Sequence, residues 1–429
     1  MERIQHALAG RTRWFDVIET QGSATPVSFA NNRFHSITGR HNRGFGIRVN
    51  VEGKTGFSYT NDPAMIEETA DRAVALAAYG EAEDFDLPSS AEATFEPYRE
   101  AVTAFDTKRE IAAADEAIAS LRDRLPGAVV DASIAASDGS VRLCNSEGLD
   151  ASYRSSSYSA HLSVTLTGED GVRLEASESV SHLAPAGYGE LVEKLAEKID
   201  RAMTTRRLGS GRVPVMLTPR AVARIIGIVT AGLNGRAVWR GISPFEGKLG
   251  RTLFSEHFSL LDDPHLDDSP YSYPFDDEGV TATRKHLVRA GRIETFLTDL
   301  AHARRLRLTP GGNGARSYAS LPHPSFSNVV IEAGIRGREE MLRGIPRGIL
   351  VDRFIGLGQS NTLTGDFSAG LELAYLIDGG ELAGRVKDCM LSDNLFTLLA
   401  GEIEISAERE RVGSVLAPWI LFPAVSFTG

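Results

Sequence analysis

Trp14-Phe-Asp-Val-Ile-Glu19, Pro26-Val-Ser-Phe-Ala30, Arg33-Phe-His-Ser-Ile-Thr38, Phe45-Gly-Ile-Arg-Val-Asn-Val51 and Lys54-Thr-Gly-Phe-Ser-Tyr59 follow one another with little between them. Asn31-Asn32, Gly39 and Glu52-Gly53 punctuate the series. Short runs of apolar, aromatic and β-branched residues, separated by residues that accept a positive φ, describe a β-meander. The chain therefore opens on an antiparallel sheet.

Helices follow the meander. Asp62-Pro63 supplies an N-cap and a proline at the first helical position, before Ile66, Ala70, Ala73, Val74 and Ala77 at helical spacing. Thr107 and Glu110 form a capping-box pattern ahead of Ile111, Ile118, Leu121 and Leu125. Strands resume near Val129 and run to about Val180, and a third helix carries Leu191, Leu195, Ile199 and Met203. That helix ends in Arg201, Arg206 and Arg207 beside Gly209-Ser210-Gly211, where basic side chains complement the C-terminal dipole. A domain boundary is expected there, giving an N-terminal α/β domain over 1–208 and a mainly β domain over 209–429, an α+β chain overall.

The second part opens with a strand over 213–217, then Thr218-Pro219 and a helix whose Val222, Ile225, Ile226, Val229 and Leu233 face one way. Turn signals at Pro244, Gly279, Gly291, Gly311-Gly312, Gly334, Gly379-Gly380 and Gly413 then divide short strands, with one helical stretch near Thr298 to Leu306.

Of the 429 residues, 42% are hydrophobic and 24% charged, ordinary for a chain with sizeable cores. The 57 acidic residues outnumber the 46 basic ones, a net charge of -11, which argues against direct nucleic-acid binding. Cys144 and Cys389 are too few for a disulfide framework and are expected as reduced thiols. The first residues carry Glu2, Arg3, Arg11 and Arg13 without an apolar leader segment, and no run of about 18 apolar residues occurs. A cytoplasmic protein without membrane contact is expected.

Thr252 to Thr283 holds Glu256, Asp262, Asp263, Asp267, Asp268, Asp276, Asp277 and Glu278 without one Lys or Arg. Such uncompensated carboxylates either bind a cation or sit in solvent; the stretch lacks the alternating ligand register of a Ca²⁺ loop, and the solvated loop is the favoured of the two readings. No pair among the ten histidines has the spacing of His-Glu-x-x-His or His-Glu-x-x-x-His, so no metal ligand and no catalytic residue is assigned in this chain. Gly-x-Ser-x-Gly, a P-loop and a dinucleotide fingerprint are absent too. Gly44-Phe-Gly46 marks a bulge or a close backbone approach.

The most distinctive segment is Gly356-Leu-Gly-Gln-Ser-Asn-Thr-Leu-Thr-Gly-Asp-Phe-Ser368. Hydrogen-bonding side chains crowd it beside the flexible Gly365. It reads either as a strip that holds an extended peptide by its backbone or as a tight polar turn capped by Asp366 and Ser368. The candidate substrate-binding residues are Gln359, Asn361, Thr364, Gly365, Asp366, Phe367 and Ser368.

At this segment the chain resembles the TldD/PmbA family, also called the modulator of DNA gyrase family, in its PmbA (TldE) branch. The likeness extends to Phe275-Asp-Asp-Glu-Gly279, Gly312-Asn-Gly-Ala-Arg316, Ser327-Asn328, Thr364-Gly-Asp-Phe-Ser368, Ser392-Asp-Asn-Leu395 and Arg43-Gly-Phe-Gly-Ile-Arg-Val49 followed by Gly53 and Gly56. The resemblance implies a dimer built around a peptide-holding cavity, chiefly through the C-terminal domain. In the TldD branch a helix carries His-Glu-x-x-x-His, and those histidines bind zinc with a later cysteine. Here the corresponding helix, residues 221–233, contains no His, Cys, Asp or Glu, and Cys389 is expected as a packed thiol. The resemblance thus implies a zinc-less subunit of a cytoplasmic two-subunit metallopeptidase for peptide proteolysis or maturation. This chain would have no cofactor, and zinc would sit on a TldD-type partner. Two alternatives stand beside it: a standalone homodimer that binds or hydrolyses peptides, and a regulatory interaction module linked to DNA gyrase control.

Overall fold

In the computed structural model, which describes residues 2–167, 173–359 and 363–429, the opening runs merge into longer strands than their spacing suggests. Residues 14–19 and 26–30 belong to one strand, Trp14–Ala30, because Thr20 to Ser23 between them are paired on both sides, with Arg40–Val51 and Val129–Asn145. Neighbours on both edges hold a stretch of turn-like composition extended. The hairpin turns fall where expected: Asn31 and Asn32 (φ 53° and 68°) and Glu52 and Gly53 (φ 51° and 83°) supply the paired positive φ values of a type I′ turn.

The first sheet is antiparallel and runs Lys54–Thr60, Arg40–Val51, Trp14–Ala30, Val129–Asn145, Asp150–Thr167, Arg173–His182, with Arg33–Ile37 added to Trp14–Ala30. The helix Ile66–Leu76 buries Ala70 and Ala73 against Val17, Ile47 and Val49, and a short helix absent from the sequence reading, Glu2–Leu8, adds Ile4 and Leu8 to that cluster. Thr107–Arg124 and Gly189–Ala202 pack Leu121, Leu195 and Ile199 over Val130, Leu162 and Val164. The capping box at Thr107 is not what starts the first of these. Asp106 is the N-cap, accepting from the amides of Lys108 (3.0 Å) and Arg109 (3.3 Å), and Thr107 is already helical.

In the second sheet, five strands close on themselves. Gly211–Leu217 pairs in parallel with Arg347–Ile355, which pairs with Asp366–Asp378, then Met390–Asn394, then Val415–Thr428, which returns to Gly211–Leu217. The ring is a barrel, and further strands attach to its longer members. The helix begun by Thr218 and Pro219 packs against the barrel, but in two pieces, Pro219–Ile225 and Gly227–Gly232. Among the described residues no helix is long and apolar enough to cross a membrane.

The acidic stretch is solvated only in part, at Glu256, Asp267 and Asp268. Asp262, Asp276 and Glu278 are buried, and most of their partners come from outside the stretch, where its composition does not show them. Lys285 Nζ and Asn313 Nδ2 donate to Asp262 Oδ2 (3.0 and 2.7 Å), and Ser327 N and Oγ to Asp262 Oδ1 (both 2.8 Å). Asp276 accepts three backbone amides, from Gly314 (2.7 Å), Glu278 (2.9 Å) and Val280 (2.9 Å). Glu278 accepts from Arg48 Nη1 (2.8 Å) and from the Leu300 amide (2.7 Å). Arg48 also binds Asp16, whose other oxygen takes Arg316 Nη1 (2.9 Å). These groups lie where the first sheet meets the loops of the second. The same seam explains Gly44 and Gly46. A methyl group at either would run into Tyr318, whose ring lies over Gly44 and whose carbonyl faces Gly46.

Candidate functional site

The helix Pro219–Ile225 and its continuation Gly227–Gly232 turn an apolar face inward, with Val222, Ile225, Ile226 and Val229 buried. Arg224, Gly227 and Ala231 are exposed at the i, i+3, i+7 positions of the outer face, with Thr230 half-exposed beside them. None has a nitrogen, sulfur or carboxylate group suited to holding zinc. Among the described residues no three His, Cys, Asp or Glu side chains come together as a metal site. Cys389 is buried, and desolvation pushes its thiol up to about 11, so it rests protonated in the core.

Two aromatic rings link the helix to the distinctive segment: Phe245 lies against Gly232 and stands 5.1 Å from Phe396, which covers Gly365. Leu357–Gln359 forms a 3₁₀ turn, placing Gln359 at its end, and Asn361 lies outside the described residues. From Asp366 the chain is a strand, so side chains alternate: Thr364, Asp366 and Ser368 face outward, while Phe367 is buried in the barrel core. Gly365 has φ +81° and lies under the ring of Phe396, leaving no room for a side chain.

Asn394 organises the corner. Its Nδ2 donates to the Thr364 carbonyl (2.8 Å) and to Asp366 Oδ1 (2.9 Å), while Thr364 Oγ1 donates to Asp366 Oδ2 (2.7 Å). Its Oδ1 meanwhile caps the helix Leu395–Ala400 by accepting from the Thr397 amide (3.0 Å). The donors from Asn394 and Thr364 hold the Asp366 carboxyl below its usual range, so it is ionised near neutral pH. Ser368 Oγ and Ser392 Oγ are 2.9 Å apart on the adjoining strand. Asn394 lies outside the stretch 356–368 that the sequence marks as distinctive. An asparagine just before Leu-Phe-Thr-Leu-Leu is a legible N-cap signal, but its second role, bonding across the barrel seam, is not.

A cavity of about 570 Å³ lies elsewhere, between the helix Gly189–Ala202 and the barrel, and none of the candidate residues line it. Its charges are internally matched: Lys198 Nζ donates to both oxygens of Asp352 (2.9 and 2.8 Å), and Arg220 Nη2 to Glu178 Oε2 (3.2 Å). It is a compensated seam between the two sheets and leaves the Thr364–Asp366–Asn394 corner as the candidate site.

Fold and site together define an α+β protein whose closed barrel carries a polar corner beside a helix bare of metal ligands. Residues 210–429 match the PmbA/TldA metallopeptidase C-terminal domain, residues 15–77 its domain 1 and residues 100–203 its central domain. The chain belongs to the PmbA/TldD family. A metalloprotease PmbA homolog of Haemophilus influenzae is 25% identical over 432 residues, covering 96% of this chain and 92% of the relative. An uncharacterized protein of Methanocaldococcus jannaschii is 25% identical over 389 residues, covering 88% of each. The fold is shared with the crystal structure of TldE from Thermococcus kodakarensis (TM-score 0.92, 23% identity, 100% of this chain and 99% of that one). It is shared equally with a putative modulator of a DNA gyrase from Thermotoga maritima (TM-score 0.92, 22% identity, 100% and 99%).

Proposed function

We propose that this chain is the zinc-less, TldE-type subunit of a cytoplasmic two-subunit metallopeptidase. A TldD-type partner supplies the zinc and the glutamate that activates water for attack on the peptide carbonyl. The barrel domain of this chain forms the dimer contact and the wall of the peptide cavity. The outward row of Thr364, Asp366 and Ser368, fixed by Asn394 and Ser392, grips an extended peptide along the strand that carries it.

The observation that carries this function is the outer face of the 219–232 helix, where Arg224, Gly227 and Ala231 stand in a family of metallopeptidases without a ligand among them. The test is zinc content and peptide turnover for this chain alone, a TldD-type subunit alone, and the two mixed. Zinc is expected to follow the partner, and turnover to rise at least about tenfold on mixing. One tightly held zinc per copy of this chain, or full turnover by the partner alone, overturns it.

A further inference from the structure

Residues 235–252, the short helix Gly235–Trp239 and the loop after it, join the metal-free helix to the rest of the barrel domain and are pinned from below. Ser243 Oγ donates to the Gly232 carbonyl (2.6 Å), and the Phe245 amide donates to Ser243 Oγ (3.0 Å). The buried Phe245 ring stands 5.1 Å from Phe396 and 5.8 Å from Phe254. Val238 is buried with them, while Arg236, Trp239, Arg240, Ile242, Leu249 and Arg251 are exposed.

That set combines apolar surface with unspent positive charge. Trp239, Ile242 and Leu249 are 46%, 52% and 45% exposed. Around them Arg236, Arg240, Lys248 and Arg251 form no ion pair with any described residue, and the loop holds a single acid, Glu246. Arg305, itself paired with Glu81 (3.6 Å) and Glu83 (3.8 Å), stacks 4.2 Å from the Trp239 ring centroid and holds that ring in place without adding free charge. In a chain of net charge -11, an exposed Trp and two aliphatic side chains ringed by unpaired cations have the composition of an interface core and rim.

Charge also decides what covers this face. A two-fold pair of identical chains would bring the patch against itself, setting four unpaired cations against four. A second copy is therefore the wrong occupant, and an acidic surface on a different protein is the complementary one. The position suits such a partner: Phe396, which packs on Phe245, is the same ring that covers Gly365, so the loop adjoins the Thr364–Asp366–Asn394 corner.

We infer that residues 236–251 dock a chemically distinct protein subunit through an acidic surface with an apolar centre, and that this face does not pair with a second copy of the chain. The inference rests on the two-subunit function proposed above. The experiment is sedimentation of wild type and of the Arg240→Glu/Arg251→Glu variant, each alone and mixed with a TldD-type subunit from the same organism, across a NaCl series. The variant is expected to bind the partner at least about tenfold more weakly, wild-type binding is expected to weaken with salt, and the variant's self-association and melt are expected to stay unchanged, since both side chains are exposed. Undiminished partner binding by the variant removes the surface and leaves the two-subunit function standing. Failure of the wild type to bind the partner removes both. A change in self-association of the variant places the face in a homodimer, and wild-type binding to phosphatidylserine vesicles that the variant loses assigns it to a lipid surface; either result overturns the inference.

Discussion

Arg48 and Glu278 meet across the seam between the two sheets at 2.8 Å, with 3% and 0% of their side chains exposed. Arg48 comes from the meander and Glu278 from the acidic stretch, so one buried contact ties the two halves of the chain together. Arg48→Ala is expected to destabilise the protein by about 3–5 kcal/mol, because Glu278 and Asp16 would remain buried without it. Pairing Arg48→Met with Glu278→Gln is expected to cost clearly less than the sum of the single changes. Urea denaturation measures both; a loss under about 1 kcal/mol for Arg48→Ala would show that the pair does not hold the seam.

The same seam gives a pH dependence. Desolvation pushes Asp276 up to about 7 and Asp277 up to about 6, against backbone donors that pull the other way. A carboxyl raised on folding binds its proton more tightly in the native state. Its contribution is complete below the ordinary value of 3.8 and is lost as pH rises through the folded value. The melting temperature is therefore expected to fall between about pH 4 and about pH 7. Asp276→Asn should flatten part of that slope while lowering stability by about 1–3 kcal/mol, since an amide cannot accept all three backbone N–H groups. A melt that climbs steadily over this range contradicts the assignment.

Gly365 reports on packing rather than on peptide entry. Its positive φ and the Phe396 ring above it leave a side chain nowhere to go, so Gly365→Val is expected to lower the melt by an amount typical of a strained core change, about 1–3 kcal/mol. Asp366→Ala, on the exposed side of the strand, should barely move the melt and should lower turnover of the mixed subunits. Equal turnover for wild type and Asp366→Ala would remove that side chain from the site.

Metal removal gives a sharper contrast. A ligand that binds only the folded state raises the melting temperature. Chelation should therefore leave the melt of this chain alone within about 1 °C, and added zinc should not raise it, because the 219–232 helix offers no donors. A zinc-dependent rise at micromolar metal would demonstrate a site.

Local signals were legible in the sequence and distant ones were not. Asn31-Asn32 and Glu52-Gly53 announced their hairpins, and Asp62-Pro63 and Thr218-Pro219 their helices, because turn and cap chemistry is written within a few residues. Gly44 and Gly46 were readable as a close approach, yet Tyr318, which makes it, lies far along the chain. Burial of Asp262, Asp276 and Glu278 depends likewise on Lys285, Arg48 and backbone amides brought in by the fold. Of the candidate site, Phe367 stood in the sequence beside Thr364, Asp366 and Ser368 as a binding residue, and only the strand pairing shows that it turns into the core, just as the bonding of Asn394 to Asp366 needed the barrel to close.

Val415–Thr428 is the hub of that closure, pairing with Gly211–Leu217, Val329–Ile331, Met390–Asn394 and Glu404–Val412. On the ribosome the first sheet has all its strands once His182 has emerged, and it is free to fold while translation continues. The barrel has to wait for its last-made strand. Until then Gly211–Leu217 and Met390–Asn394 present open edges to other nascent chains. The protein's most hazardous moment is thus the interval between making the first half and finishing the second, and chaperone demand should concentrate there.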